Sequence, residues 1–154
     1  MTRVLMVCLG NICRSPLAEG ILKSKVNSSE ITVDSAGTAS YHIGKGPDPR
    51  SIATAASYNI DISGQRARQF TVEDFDKFDH IFAMDKENYK NIAALARNKS
   101  DKEKVALMLD VLNSPETKEV PDPYYGGDQG FEHVYDLLDK ATDLVIPRIT
   151  PHLD

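Results

Sequence analysis

Four short aliphatic runs are spaced along the chain, and each gives way to a turn and then to a stretch of helical periodicity. They are Arg3–Cys8, Ile31–Val33, His80–Met84 and Val105–Leu109. Runs this short and apolar suit buried strands. Strands that alternate with helices pair in parallel through right-handed crossovers. The expectation is an α/β domain with a small, mostly parallel sheet and helices on both faces. Ser15-Pro16 reads as a helix cap with proline at the first helical position, opening an amphipathic helix of about three turns along Leu17, Ile21, Leu22 and Val26. Asp48-Pro49 opens a helix to about Ser57, and Thr71–Asp74 resembles a capping box. Asp85 caps a helix to about Arg97, and a last helix starts near Gly130 with Val134, Leu138, Ala141 and Val145 on one stripe. Ligands of such folds sit beyond the carboxyl ends of the strands. Cys8, Ser35, Asp85 and Asp110 all fall at or just after such ends.

The 154 residues suffice for one domain spanning 1–154. With 41% hydrophobic and 27% charged residues, the composition is globular and not disordered. No apolar run approaches the roughly 18 residues of a membrane span. A net charge of −5 argues against nucleic acid as the main partner. The N-terminus carries one basic residue and a short apolar stretch running into Gly10-Asn11, which is not the pattern of a signal peptide. A reducing, cytoplasmic compartment is expected. Two cysteines and four histidines, in no zinc-ligand spacing, leave neither a disulfide scaffold nor a metal site in view, and no cofactor motif occurs.

Both cysteines lie in Cys8-Leu9-Gly10-Asn11-Ile12-Cys13-Arg14-Ser15, between the first strand and the first helix. A bare Cys-x5-Arg spacing is weak evidence, but its setting strengthens it. Gly10 and Asn11 both tolerate left-handed backbone, so the chain can turn sharply there. Successive N–H groups in such a turn form an anion nest, and the helix N-terminus adds to it. Arg14 is suited to hold two oxygens of a phosphate side by side. Cys8 sits where that positive field favours thiolate, a nucleophile aimed at phosphorus. Ser15 is placed to donate its hydroxyl to the sulfur while accepting a helix N–H. The bland alternative is a buried strand-end cysteine with an arginine nearby.

A phosphate ester leaves as an oxyanion unless something protonates it. Asp122, fixed between Pro121 and Pro123 in the loop after the fourth strand, is the candidate acid, with Tyr124 and Tyr125 as walls for an aromatic substrate. Taken alone, an aspartate between prolines is usually a turn residue.

Cys8–Pro16 together with Asp122-Pro123-Tyr124-Tyr125-Gly126 resembles the low-molecular-weight protein tyrosine phosphatases, and the likeness spans nearly the whole chain in length and motif order. Asp34–Gly37, Arg66–Gln69 and Ala83–Asp85 resemble family segments too. The resemblance implies a four-stranded parallel sheet in three layers, a cysteinyl-phosphate intermediate and no metal. It implies Cys8 as nucleophile, Arg14 as phosphate clamp and Asp122 as acid and then base. Leu9, Gly10, Asn11, Ile12, Cys13 and Ser15 would form the phosphate loop, with Asn11 and Ser15 keeping its shape and Ser35 supporting Asn11. Leu9, Tyr41, His42, Tyr124 and Tyr125 would line the pocket and its mouth. Gln65 stands where many similar members carry a histidine behind the loop, and it can bond there but not titrate. The implied partners are tyrosine-phosphorylated proteins, with phosphate as product and competitive ligand, and the chain is expected to be a monomer, a weak dimer being the alternative.

Three rivals are weighed against this reading. Arsenate reductases share the loop but use further cysteines downstream, and none follows Cys13. Arginine-phosphate phosphatases carry threonine where Ile12 stands, so the apolar Ile12 favours an aryl phosphate. A phosphotyrosine-binding module without chemistry has no need to keep Cys8, Arg14 and Asp122. Cys13 is either a small buried loop residue or the partner of a reversible disulfide that spares an oxidised Cys8. Arg66 and Arg68 read as solvated surface charge, with added positive potential at the rim as the alternative.

Overall fold

The computed structural model describes residues 1–114, 117–123 and 127–150. Four strands, β1 (Thr2–Cys8), β2 (Ile31–Gly37), β3 (His80–Ala83) and β4 (Val105–Leu107), form one sheet in the order β2-β1-β3-β4, every pair parallel. Six α-helices accompany them: α1 (Arg14–Lys25), α2 (Pro49–Ala56), α3 (Asp74–Lys77), α4 (Lys86–Ala93), α5 (Lys99–Glu103) and α6 (Gly127–Ile149). This is the expected three-layer α/β fold. Among the described residues no helix is long and apolar enough to cross a membrane.

Period-two alternation along β1 divides the interior. Val4, Met6 and Cys8 enter one core with Leu17, Ile21 and Leu22 of α1 and Val134, Leu138, Ala141 and Val145 of α6. Leu5 and Val7 enter the other, with Phe75, Ile81, Ile92 and Val105. The central strand is therefore covered on both faces, as parallel strands require.

Several local expectations shift. Helix α1 starts at Arg14 rather than after Ser15, and no side chain caps it. It is not amphipathic either, since every residue from Arg14 to Leu22 is buried. Strand β4 stops at Leu107, and Met108–Leu112 turn into a 3₁₀ segment ended by left-handed Asn113. The helix capped by Asp85 ends at Ala93, and Asn98 then caps the short α5. At Thr71 only half of a capping box forms: the Thr71 N–H donates to Asp74 Oδ2 at 2.8 Å.

Candidate active site

The loop from Leu9 to Cys13 leaves the end of β1 at the sheet's carboxyl rim and enters α1 at Arg14. Asn11 takes the left-handed conformation, with φ at 58°. Its side chain holds that bend in three directions: Nδ2 donates to Ser15 Oγ (2.8 Å) and Ser35 Oγ (2.9 Å), and Oδ1 accepts from the Arg68 N–H (3.1 Å). Gly10 is not left-handed. His42 packs against it, with Cδ2 only 2.9 Å from where a Cβ would stand, so a larger residue there would displace that ring.

The hydrogen bonds behind Cys8 have one consistent direction. Glu19 is buried in α1 and ion-paired with Lys23 at 2.6 Å, and its carboxylate accepts the Ser35 hydroxyl at 2.6 Å. Ser35 Oγ then accepts from Asn11, and so does Ser15 Oγ. The Ser15 hydroxyl hydrogen is left for Cys8 Sγ, 3.0 Å away, and the Asn11 N–H also points at the sulfur, at 3.3 Å. Ser15 thus takes its second bond from Asn11 and not from a helix N–H.

Arg14 is buried, and its Nη1 donates to Asp85 Oδ2 (2.8 Å) and to the Val120 carbonyl (3.0 Å). Among the described residues its Nε and Nη2 have no partner, which leaves two parallel donors for an oxyanion. Burial opposes the Arg14 charge, but Cys8, Asp85 and Asp122 outweigh it and hold the guanidinium above its ordinary range. The Val120 N–H donates to the Met84 carbonyl at 2.8 Å, pinning the loop that carries Asp122 beside this guanidinium.

A cleft of about 100 Å³ opens over the loop, lined by Cys8, Leu9, Gly10, Ile12, Cys13, Arg14, Tyr41, His42, Asp122 and Pro123. Residues 8–14, 41–42 and 122–123 are far apart in sequence and meet only here. A buried thiol, an arginine fork and an exposed carboxyl at the mouth suit attack on a phosphate ester with proton transfer to its leaving group.

Asn11 and Ser15 build the loop but do not line the cleft. Ser35 accepts from Asn11 Nδ2, while Gln65 donates to the Pro16 carbonyl (3.1 Å) in the first turn of α1 and not to the loop itself. Tyr124 and Tyr125 lie outside the described residues. Both cysteines are buried and are not bonded to each other. Arg68 is not merely solvated: it pairs with buried Asp74 (3.1 Å) and with Asp34 (3.3 Å). The sequence reading missed Glu19 and the pairing of Asp85 with Arg14. A carboxylate among the apolar positions of α1 is the available signal for the first, and the place of Asp85 at a strand end, besides its capping role, for the second.

The sequence model of a family described as low molecular weight phosphotyrosine protein phosphatase matches residues 3–150. A Dictyostelium discoideum relative, which bears the name low molecular weight phosphotyrosine protein phosphatase, is 41% identical, covering 88% of this chain and 89% of that one. The crystal structure of a protein tyrosine phosphatase from Entamoeba histolytica superposes with a TM-score of 0.90 at 39% identity, covering 96% of each chain. The structure of a Drosophila arginine phosphatase superposes with a TM-score of 0.88 at 31% identity, covering 96% of this chain and 97% of that one.

Proposed function

The chain belongs to the low molecular weight phosphotyrosine protein phosphatase family, and from this membership we propose how its own residues divide the work: Cys8 attacks, Arg14 holds and Asp122 moves the proton. The activity is hydrolysis of phosphotyrosine through cysteinyl phosphate, without a metal, as is general for the family.

In the first step Cys8, as the thiolate, approaches phosphorus in line with the tyrosyl oxygen. The S–P bond forms as the P–O bond breaks, and protonated Asp122 gives its proton to the departing phenol oxygen. In the second step Asp122, now a carboxylate, takes a proton from water while the water oxygen attacks phosphorus. The S–P bond breaks, phosphate is released and the sulfur regains its electron pair. Arg14 and the loop N–H groups hold the equatorial oxygens in both steps, and being fixed beforehand they need not reorganise as charge builds. Phosphate itself should compete for the same donors.

The observation that carries this assignment is the convergence of Cys8, Arg14 and Asp122 on one small cleft. Ile12, which also lines it, brings no hydroxyl to a second substrate class, so an aryl phosphate is the preferred substrate over phosphoarginine. A single domain acting as a monomer in the cytoplasm fits a nucleophile that must stay a reduced thiol. The test is turnover with EDTA present. The unmodified chain should hydrolyse phosphotyrosine peptides and Cys8→Ser should lose essentially all activity. Substantial activity in that variant, or faster turnover of phosphoarginine, would overturn the assignment.

A further inference from the structure

Beside the catalytic cleft lies a second recess of about 320 Å³ that shares Leu9, Arg14 and Asp122 with it. Four carboxylates line this recess, those of Asp85, Glu87, Glu119 and Asp122, against the single guanidinium of Arg14, which is already matched by Asp85 at 2.8 Å. Glu119 spends one oxygen on the Lys86 N–H at 2.9 Å, and Glu87 is exposed with no ion-pair partner among the described residues. The nearby Lys118 is turned to Asp110 at 3.6 Å. The recess is thus acidic, while the cleft next to it is built to receive an anion.

A second observation concerns a buried amide in its lining. Asn88 also lines it and is only 2% exposed. Its backbone N–H is used on Asp85 Oδ1 at 2.7 Å, but its side-chain Oδ1 is buried and has no hydrogen-bond partner among the described residues. A buried amide oxygen without a donor is unfavourable, and turning the side chain towards the recess would let a ligand that brings N–H groups relieve it. Among the described residues no group of three or more His, Cys, Asp or Glu side chains is close enough to hold a metal ion. An occupant that carries its positive charge and several N–H donors on a long apolar stem fits better.

We propose that this recess is a specificity subsite that takes the lysine or arginine side chain of a substrate residue close to the phosphotyrosine. With the phosphate seated over Cys8, the peptide passes Leu9 and Asp122, which form the border shared by the two cavities. A neighbouring cationic side chain then reaches the carboxylates of Glu87 and Glu119, while an acidic neighbour is repelled. The proposal rests on the assignment of Cys8 and Asp122 given above.

The test uses phosphotyrosine peptides that differ only in one residue, lysine or glutamate, at each of the two positions on either side of the phosphotyrosine. At low ionic strength kcat/KM should favour lysine about five- to tenfold at one position or more, and the ratio should shrink in high salt. Glu87→Gln/Glu119→Gln should reduce that ratio towards one while leaving turnover of p-nitrophenyl phosphate unchanged. Glutamine at 119 keeps an acceptor for the Lys86 N–H, so the fold is spared. If p-nitrophenyl phosphate is turned over but no position discriminates, or if the double variant discriminates as well as the unmodified chain, the subsite is wrong and the catalytic assignment stands. If the unmodified chain does not turn over p-nitrophenyl phosphate, both fall.

Discussion

Asn11 carries more structural duty than its size suggests. It turns the chain through a left-handed bend, and its amide makes three hydrogen bonds that orient Ser15 and Ser35. Aspartate in its place would lack the two N–H donors, so the direction of the whole chain of bonds to Cys8 would be lost. Gly130 works on the other side of the cleft. A Cβ there would stand 2.5 Å from the Pro123 carbonyl oxygen, so only glycine lets the first turn of α6 sit this close to the loop bearing Asp122. Gly130→Ala should push that loop outward and lower kcat on phosphotyrosine about tenfold, since small misplacements of a proton donor are costly. The inhibition constant for phosphate, which reads Arg14 and the loop, should stay unchanged. Asp122→Asn should reduce kcat for phosphotyrosine by about 10²-fold or more, and much less for an aryl phosphate with a better leaving group.

Among the elements, the short α5 shows how polar contacts do what a small apolar face cannot. Arg97 reaches Asp101 in α5 (2.9 Å) and Asp76 in α3 (2.6 Å), tying two short helices together. Hydrogen bonding to Arg97 holds both carboxyls below their ordinary values. Carboxyls depressed in the folded state add stability above the unfolded value near pH 4, and that stability is lost as pH falls through their folded values. Arg97→Gln should therefore lower the urea midpoint at pH 7, and the gap between variant and unmodified chain should close towards pH 2–3. Burial likewise depresses His80, with Asp79 opposing, so its contribution is complete above about pH 6.5 and declines on acidification below it. The same scale shows where the sequence was hard to read. The apolar spacing of Leu17, Ile21 and Leu22 located α1 correctly but suggested one buried face, whereas strands, α2 and α6 enclose its first nine residues. Met108 and Leu109 looked like strand because they are apolar, yet they are buried in a 3₁₀ turn. An apolar run reports burial, not the hydrogen-bond pattern that delivers it.

For the molecule as a whole, β1 contributes fully buried side chains to both cores. Met6 is fully buried in the core of α1 and α6, and Leu5 is fully buried in the core of α3 and α4. Met6→Ala should cost about 2–5 kcal/mol in urea unfolding, with a fall in Tm on the order of 5–15 °C for a chain of this size.

Much of this was set locally. Short aliphatic runs separated by helical stretches can only be buried as parallel strands under crossover helices, and Cys-x5-Arg between a strand and a helix carries its own anion chemistry. Those properties depend on neighbours in the chain, so the sequence alone determined them. The partners of the key groups were decided in three dimensions. Asp85 lies 71 residues from Arg14, and Glu19 acts on Cys8 only through Ser35, Asn11 and Ser15. The acidic recess draws its residues from the loop after β1, the N-terminal part of α4 and the loop before α6. Hydrogen bonds and charges act over a few ångströms regardless of separation along the chain, so only the folded sheet, which brings strand ends to one rim, could place them.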